Sequence, residues 1–458
     1  MPDPLDAVSP LDGRYAGRTA PLREYGSEAA LMRARTRVEV EYLLELADEP
    51  GVPLELSEAE RGRCRAAYTE FDADDARLVK AIETEGHGEY PATNHDVKAV
   101  EYFLRVRLAD LERVHPWLHF GLTSEDVTNL AYRLLVRGAV DEVLAPALED
   151  VRGELAGLAR EHRDMPMLAR THGQPATPTT FGKELAVYAA RLDRGLDRLA
   201  AAVGELAGKL AGASGTYAAH VAALPDVDWP AFSRSFVERL GFRHVALATQ
   251  VNPGDDLAAV FDALRGLARI LVDLDRDCWR YVSMGYLRQR AAAGETGSST
   301  MPHKVNPIDF ENAEGNLEKA LSDLDFLAGA VTESRLQRDL SDSTVKRNIG
   351  AALAHCHLGY AKTLDGLAAV APDAEAMRAD LEAHPEVLAE AVQTVLRREG
   401  HADAYERVKA LTRGETVTLE ALRAAVDDLD VAEAVRTELQ SLEPAEYVGL
   451  GAELVDEL

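Results

Sequence analysis

Residues 181–210 read FGKELAVYAARLDRGLDRLAAAVGELAGKL, and their large apolar side chains recur at steps of three and four residues. These positions are Phe181, Leu185, Tyr188, Leu192, Leu196, Leu199, Val203, Leu206 and Leu210. The spacing follows the 3.6-residue period of an α-helix and places a single apolar stripe along one face. The stretch therefore predicts a long amphipathic helix that packs against other helices.

Two more stretches of the chain have the same spacing. One contains Leu257, Val260, Phe261, Leu264, Leu267, Leu271 and Leu274, with Asp255 and Asp256 placed to cap its start. The other follows Pro307 and contains Leu317, Leu321, Leu324 and Leu327. Strand-like alternation is hard to find, and no repeat has the period of a solenoid. We therefore predict an all-α fold built around a long central helical bundle.

The length of the chain predicts more than one domain. Its 458 residues exceed the size at which a single hydrophobic core usually stops growing. Helical patterning breaks in RVHPW (113–117) and in AAVAPDAEAM (368–377). We expect a helical N-terminal domain over 1–116, a long-helix bundle over 117–368 and a helical C-terminal domain over 369–458.

The charge balance is strongly acidic, with 50 Lys and Arg against 78 Asp and Glu and a formal net charge of −28. Binding of nucleic acid requires a broad basic face, so this class of function is excluded. Two interpretations of the acidic excess stay open. It is compatible with an ordinary, strongly solvated surface, and also with adaptation to high salt, which would screen the repulsion.

Composition and short motifs argue against several other classes of protein. No apolar run approaches the ~20 residues of a membrane span, and the start MPDPLDAVSP lacks the basic and apolar regions of a secretory signal. We expect a cytoplasmic protein with no membrane partner. The three cysteines, Cys64, Cys278 and Cys356, do not have the spacing of a metal-ligand set. The histidines near 115–119 and 355–357 do not form such a set either. Nucleotide-binding glycine loops are absent, and we expect no cofactor and no metal.

The segment GSSTMPHKVNP (297–307), within a loop predicted over 294–307, departs most from the helical pattern. Pro307 suits the first position of a helix, and Asn306 suits the N-cap. Lys304 would then lie just outside a helix N-terminus, where backbone N–H groups and an ammonium favour an anion. Taken alone, the segment is also compatible with a surface loop ahead of a capped helix.

This loop resembles the signature loop of the fumarase/aspartase superfamily, whose members eliminate fumarate from succinyl-type substrates. Six other segments resemble its adenylosuccinate lyase branch: SPLDGRY (9–15), TNHDVKAVEYF (93–103), HFGLTSEDVTN (119–129), RTHGQPATPTTFGKE (170–184), TQVNP (249–253) and RDLSDSTVKRN (338–348). Fumarases and argininosuccinate lyases tend to have Thr-His-Leu-Gln where residues 171–174 are Thr-His-Gly-Gln. The similarity covers essentially the whole chain.

The resemblance implies a reaction and a set of catalytic residues. The reaction is β-elimination of fumarate from adenylosuccinate and from SAICAR, in the biosynthesis of AMP and IMP. Ser298 is implied as the general base, His172 as the general acid, and His95 as a second histidine that helps bind phosphate and assists the acid. Lys304 is implied beside the base. Glu311 is implied to orient the acid histidine. A serine hydroxyl needs a dry, positively charged site for this task, whereas histidine's ordinary pKa of ~6.5 suits an acid at neutral pH.

The resemblance also implies substrate contacts and an assembly. The implied contacts are Arg14, Tyr15, Asn94, Asp96, Lys98, Thr123, Ser124, Thr171, Gln250, Ser299, Asn306, Asn312, Arg338, Ser343 and Arg347. A substrate with two carboxylates and a phosphate suits the arginines among them. The family forms homotetramers in which each active site takes segments from three subunits.

Some of these positions have a structural interpretation as well. Thr123 and Ser124 are also compatible with a plain N-cap ahead of Glu125, and Lys98 with a surface position. The resemblance alone selects Ser298 over Ser299 as the base. Two other functions stay open: another fumarate-releasing lyase, of the argininosuccinate lyase or fumarase type, and a non-catalytic scaffold of the same fold. The joint presence of Ser298, Lys304 and His172 speaks against the scaffold.

Overall fold

The computed structural model describes residues 4–290, 301, 305–412 and 418–458. In this part of the chain the α-helices are α1 (Arg23–Gly26), α2 (Glu28–Asp48), α3 (Glu58–Thr69), α4 (Ala73–Thr84), α5 (Asp96–Arg107), α6 (Ser124–Ala139), α7 (Ala145–Glu161), α8 (Phe181–Gly204), α9 (Ala218–Ala223), α10 (Trp229–Arg239), α11 (Asp255–Ser283), α12 (Ile308–Ala330), α13 (Ser341–Lys346), α14 (Ile349–Ala368), α15 (Ala374–Glu382), α16 (Ala389–Arg398), α17 (Ala404–Thr412), α18 (Leu419–Asp427) and α19 (Glu433–Gln440).

Helices dominate the structure, and the predicted all-α class is confirmed. The three predicted long stripes lie on α8, α11 and α12. The sequence pattern did not indicate three short two-stranded sheets that the described residues form: β1 (Pro166–Thr171) antiparallel to β2 (Gln174–Thr180), β3 (Ala207–Gly208) parallel to β4 (Arg243–His244), and β5 (Leu287–Gln289) antiparallel to β6 (Val370–Pro372). None of the described helices has both the length and the hydropathy to cross a bilayer.

Helix α8 ends at Gly204, although the apolar stripe of the sequence continues to Leu210. Beyond Gly204, backbone N–H groups donate hydrogen bonds to side chains of other elements. The N–H of Ala207 donates to Asp256 Oδ2 at 2.9 Å, and the N–H of Lys209 donates to Asn129 Oδ1 at 3.0 Å. These tertiary hydrogen bonds satisfy backbone groups that the helix would otherwise have used, so the chain leaves the helix there.

The contacts of the chain divide it into two compact units. Unit 1 contains Met1–Leu148, Gly195–Arg269 and Gly315–Tyr360, and unit 2 contains Glu149–Arg194, Ile270–Glu314 and Ala361–Leu458. The three domains expected from breaks in the sequence pattern stay a prediction.

Unit 1 is organised around α2 and α6, which pack against each other. The first turn of α6 is held by a buried ion pair, in which Lys209 Nζ lies 2.7 Å from Asp126 Oδ1 and neither side chain is exposed. The same carboxylate accepts the N–H groups of Ala211, Gly212 and Thr123 at 2.9–3.1 Å. A buried ion pair is tolerated when its remaining polar sites are satisfied in this way. The start of α6 is therefore fixed to residues 209–212.

Unit 2 contains a hairpin and a small helical core. The hairpin of β1 and β2 packs on α15, with Leu168 and Leu381 in one buried cluster. Helices α16 to α19 share a second apolar core, formed by Val392, Leu396, Ala404, Val408, Val426, Leu429, Val435 and Leu439. The cluster of Leu168 and Leu381 supports the hairpin, the tip of which carries His172.

Candidate active site

A cavity of about 420 Å³ lies in unit 1 and gathers residues from several distant segments of the sequence. Its lining is formed by Arg35, Glu83, Asn94, His95, Asp96, Val97, Ser124, Thr128, Arg338, Leu340, Ser343, Thr344 and Arg347. Asn94, His95, Asp96, Ser124, Arg338, Ser343 and Arg347 belong to the set implied by the sequence resemblance. The structure thus brings together residues that are up to about 250 positions apart in the chain, as the separation of Asp96 and Arg347 shows.

His95 stands at the N-cap of α5 and is oriented by the backbone of that helix. Its Nδ1 accepts the N–H of Lys98 at 3.2 Å, and its Nε2 lies 3.5 Å from Ser124 Oγ. Because Nδ1 is an acceptor, the neutral ring carries its proton on Nε2. Asn94, which precedes it, has a φ of 48° in the left-handed region, where asparagine is one of the better tolerated residues. The loop therefore presents Nε2–H, a hydrogen-bond donor, beside Ser124.

Three guanidinium groups give the cavity a local excess of positive charge. Arg35, Arg338 and Arg347 line it against the carboxylates of Glu83 and Asp96, although the whole chain is acidic. This arrangement suits an anionic ligand.

Asp96 holds two of these arginines. Its Oδ2 lies 2.8 Å from Arg35 Nη1 and 3.0 Å from Arg347 Nη2. Burial alone would raise the pKa of Asp96, but the charge and hydrogen bond of Arg35, together with the Val97 N–H and Arg347, outweigh burial and lower that pKa. Asp96 therefore stays ionised and positions both guanidinium groups.

Thr123 and Gln250 contact each other next to the cavity rather than lining it. Thr123 is the N-cap residue of α6, and its N–H donates to Asp126 Oδ2 at 2.9 Å. Gln250 Nε2 donates to Thr123 Oγ1 at 3.3 Å. The capping interpretation of Thr123 thus agrees with its geometry, while Ser124 faces the cavity. Contacts of Thr123 and Gln250 with substrate stay predictions.

Lys98, Arg14 and Tyr15 are not among the residues that line this cavity. Lys98 Nζ donates to Glu101 Oε2 at 2.7 Å on the same helix, which agrees with the surface interpretation. Arg14 is exposed, and the carbonyl of Tyr15 accepts from Thr19 Oγ1 at 3.2 Å. Their contacts with substrate stay predictions.

His172 lies in unit 2, at the exposed tip of the hairpin between β1 and β2. The two-residue loop has φ of 54° at His172 and 74° at Gly173, and Thr171 pairs with Gln174 across it. Positive φ at both central positions is the mark of a tight hairpin turn. A non-glycine residue held in this region stores backbone strain, which is found disproportionately at functional sites. On β1, Arg170 Nη2 lies 2.6 Å from Asp380 Oδ2 of α15.

The signature loop itself falls mostly outside the described residues. Ser298, Ser299 and Lys304 are among the residues not described, and so is the predicted anion site. Helix α12 begins at Ile308, one residue later than predicted, and the N–H of Glu311 donates to the Pro307 carbonyl at 3.3 Å.

Three implied site residues flank the loop in unit 2. Glu311 Oε1 accepts from Trp279 Nε1 at 3.1 Å. Asn306 and Asn312 are half-buried close to the start of α12. Their proposed roles stay predictions.

Comparison with known proteins identifies the family. A family model described as "Lyase" matches residues 13–321, and one described as "Adenylosuccinate lyase C-terminal" matches residues 334–448. The adenylosuccinate lyase of Escherichia coli strain K12 is 43% identical over 460 residues, which is 99% of each chain. The adenylosuccinate lyases of Haemophilus influenzae and Dictyostelium discoideum are 44% and 41% identical, covering 99% and 97% of both chains. This chain belongs to the adenylosuccinate lyase family.

Solved structures with the same fold include more distant lyases and related enzymes. A fumarate lyase from Mesorhizobium sp. BNC1 has a TM-score of 0.75 at 22% identity, covering 96% of this chain and 97% of that one. The 3-carboxy-cis,cis-muconate lactonizing enzyme from Pseudomonas putida has a TM-score of 0.73 at 23% identity, with 96% of each chain covered. At these identities the likeness concerns the fold alone. It agrees with the fumarase/aspartase-like architecture expected for an adenylosuccinate lyase.

Arg35 and Thr128 line the cavity of this adenylosuccinate lyase family member, but sequence reasoning missed them. Arg35 Nε donates to Thr128 Oγ1 at 3.2 Å, between α2 and α6. Arg35 occupies the stripe of α2 that also carries Leu31, Val38 and Tyr42, all of them buried. A charge within an otherwise apolar stripe was therefore the signal in the sequence.

The turn that leads into Ser124 rests on a buried histidine. Gly121 has a φ of 70°, and a Cβ atom there would lie 2.6 Å from the ring of His220. Tyr42 Oη donates to the Phe120 carbonyl at 2.8 Å and lies 3.1 Å from His220 Nε2, while His220 Nδ1 is buried without a hydrogen-bond partner. Burial lowers the pKa of His220 to about 4.

We expect His220 to make the fold sensitive to acid. Between pH ~6.5, the ordinary histidine pKa, and about 4, the unfolded chain binds a proton at this position and the folded chain does not. Stability should therefore fall as the pH falls through this window, by roughly 3 kcal/mol in total at ~1.4 kcal/mol per pKa unit. His220→Gln retains a partner for Tyr42 and should flatten this dependence.

The measurement is the urea midpoint of both proteins from pH 7 to pH 4. His119 acts in the opposite direction: burial disfavours its charge, but Glu39, 2.6 Å away, raises its pKa, and both proteins share this contribution. The difference between the two proteins isolates His220. If the urea midpoints of the two proteins change with pH in parallel, the acid sensitivity does not come from His220.

Proposed function

We propose that this chain eliminates fumarate from adenylosuccinate to give AMP, and from SAICAR to give AICAR, in purine biosynthesis. The observation that carries the proposal is the 43% identity to the adenylosuccinate lyase of E. coli over 99% of both chains. The arginine-rich cavity of unit 1 supports it, because both substrates are polyanions. We also propose a cytoplasmic location, which suits the three unpaired, buried cysteines.

The reaction requires one base and one acid. The base removes a proton from the carbon next to one carboxylate of the succinyl group, and the electron pair spreads into that carboxylate. The bond between the neighbouring carbon and the nitrogen then breaks, the double bond of fumarate forms, and the nitrogen takes up a proton. One proton leaves carbon and one reaches nitrogen, so the elimination balances without a cofactor.

We assign Ser298 as the base and His172 as the acid, with Lys304 stabilising the developing negative charge. His95 donates its Nε2–H to the bound substrate from the side of Ser124. Glu311 orients the acid histidine. Histidine at the tip of a tight, exposed turn is free to reach a ligand from outside its own hairpin. These roles follow the family resemblance residue by residue.

We further propose a homotetramer with active sites shared between subunits. Long helices leave large apolar side chains exposed, among them Trp279 of α11 at 44% and Phe326 of α12 at 57%. In a homotetramer, partner subunits would cover side chains of this kind. Light scattering should give four times the chain mass of 49.8 kDa.

A substrate panel tests the function against its nearest alternative. Purified protein is mixed in turn with adenylosuccinate, argininosuccinate and malate, and fumarate is quantified by chromatography. We expect fumarate from adenylosuccinate alone. Turnover of argininosuccinate or malate without turnover of adenylosuccinate would assign the chain to another branch, and no turnover of any of them would favour a non-catalytic scaffold.

A further inference from the structure

A cluster of buried charges lies behind the cavity of unit 1. Lys346 Nζ lies 2.8 Å from Glu125 Oε1 and 2.8 Å from Asp342 Oδ2, and all three side chains are at most 7% exposed. Glu125 comes from the first turn of α6, whereas Asp342 and Lys346 are one turn apart on α13. The cluster therefore ties together the two elements that supply Ser124 and Ser343 to the cavity.

The helical period explains why the same two elements serve both the cavity and the cluster. On α6, Ser124 lines the cavity, whereas the next residue, Glu125, is buried because it lies about 100° further round the helix. Near α13, Ser343 and Arg347 line the cavity, whereas Asp342 and Lys346 are buried. Each pair is spaced four residues apart, so one face of the segment meets the ligand space and the other meets Glu125.

The buried cluster is short of one positive charge. Two carboxylates face one ammonium, and Glu125 Oε2 is buried without a hydrogen-bond partner. Arg338, which lines the cavity, brings Nη2 to 3.8 Å from this oxygen and to 3.5 Å from Ser343 Oγ. An uncompensated buried carboxylate attracts the nearest cation strongly. Arg338 is such a cation, and it faces the ligand space.

We propose that Glu125 is a positioning residue for substrate binding, acting through Arg338. Lys346 occupies Oε1 of Glu125 and leaves Oε2 to face Arg338. The guanidinium is thereby held at the cavity without being consumed in a tight ion pair, and it remains available to an anionic group of the substrate. This inference rests on the proposed function only for the choice of substrate in the assay.

Glu125→Gln tests the proposal with little change of volume. The amide oxygen still accepts from Lys346, but the charge that orients Arg338 is lost. We expect the KM for adenylosuccinate to rise about tenfold, equivalent to ~1.4 kcal/mol, with kcat within about threefold of the wild type. A role in folding alone would lower the thermal midpoint and leave KM unchanged.

A double-mutant cycle shows whether Glu125 acts through Arg338. In an Arg338→Met background, which raises KM by itself, Glu125→Gln should raise KM no further. The matched control is Glu45→Gln, which also removes a buried carboxylate of unit 1. Glu45 pairs with Arg239 at 2.8 Å and does not line the cavity. We expect the control to move the thermal midpoint and not KM.

Two results would overturn the proposal: an unchanged KM in Glu125→Gln, or an equal rise of KM in both backgrounds. These failures are distinct from failure of the proposed function. If the wild type does not convert adenylosuccinate, the proposed function is wrong, and the cycle is then measured as the binding of inorganic phosphate, which Glu125→Gln should weaken only when Arg338 is present.

Discussion

Replacing Ser298 with alanine is expected to lower kcat for adenylosuccinate by about 10³-fold, within the range attributed to a positioned general base. Removal of the hydroxyl leaves no group on this residue to accept the proton, while substrate contacts elsewhere remain. We therefore expect KM to change far less than kcat. Initial rates are measured from the change in ultraviolet absorbance as adenylosuccinate is converted. Thermal unfolding is recorded to confirm that the variant is folded.

The neighbouring serine supplies the matched control. Ser299→Ala removes an identical group one position away, where we expect contact with substrate and no proton transfer. Its main effect should be on KM. If Ser299→Ala loses kcat by three orders of magnitude and Ser298→Ala does not, the base is Ser299, and the role assigned from the family resemblance is wrong.

Replacing His172 with asparagine is expected to lower kcat by about 10²- to 10⁴-fold. Asparagine suits this position because it tolerates the left-handed backbone, so the turn of His172 and Gly173 survives while the imidazole is removed. The lost group is the one that protonates the departing nitrogen.

Comparison with His172→Ala separates chemistry from strain. Alanine has no preference for positive φ and should add about 1 kcal/mol of strain to the same loss of catalysis. The two variants should therefore share a low kcat but differ in thermal midpoint. Turnover near that of the wild type in the asparagine variant would remove His172 as the acid.

The long helices could be predicted from the sequence because their apolar stripes are regular over many turns. Helix α11 follows the stripe that starts at Leu257, and α12 follows the stripe beyond Pro307. Helix ends were harder to predict. Asp256 lies in the first turn of α11, as expected, but it also binds Arg133 through both of its carboxylate oxygens, at 2.6 and 2.7 Å. A long-range partner decided the role of this residue, and local sequence carries no sign of that partner.

The residues of the cavity also differ in how far local sequence could predict them. Motifs indicated His95, Ser124 and Arg347, since each lies in a segment with its own recognisable chemistry. Arg35 and the buried cluster of Glu125, Asp342 and Lys346 were missed, because their function lies in contacts between segments. In the sequence, a buried charge in a helix is visible only as an interruption of the apolar stripe.

A product balance for the purified wild-type protein incubated with adenylosuccinate tests most directly whether this chain eliminates fumarate from that substrate. AMP and fumarate are separated by chromatography and quantified over time. We expect the two products in equal amounts, with loss of one adenylosuccinate for each pair. A folded protein that releases no fumarate from adenylosuccinate, at low salt or at molar salt, would contradict the account.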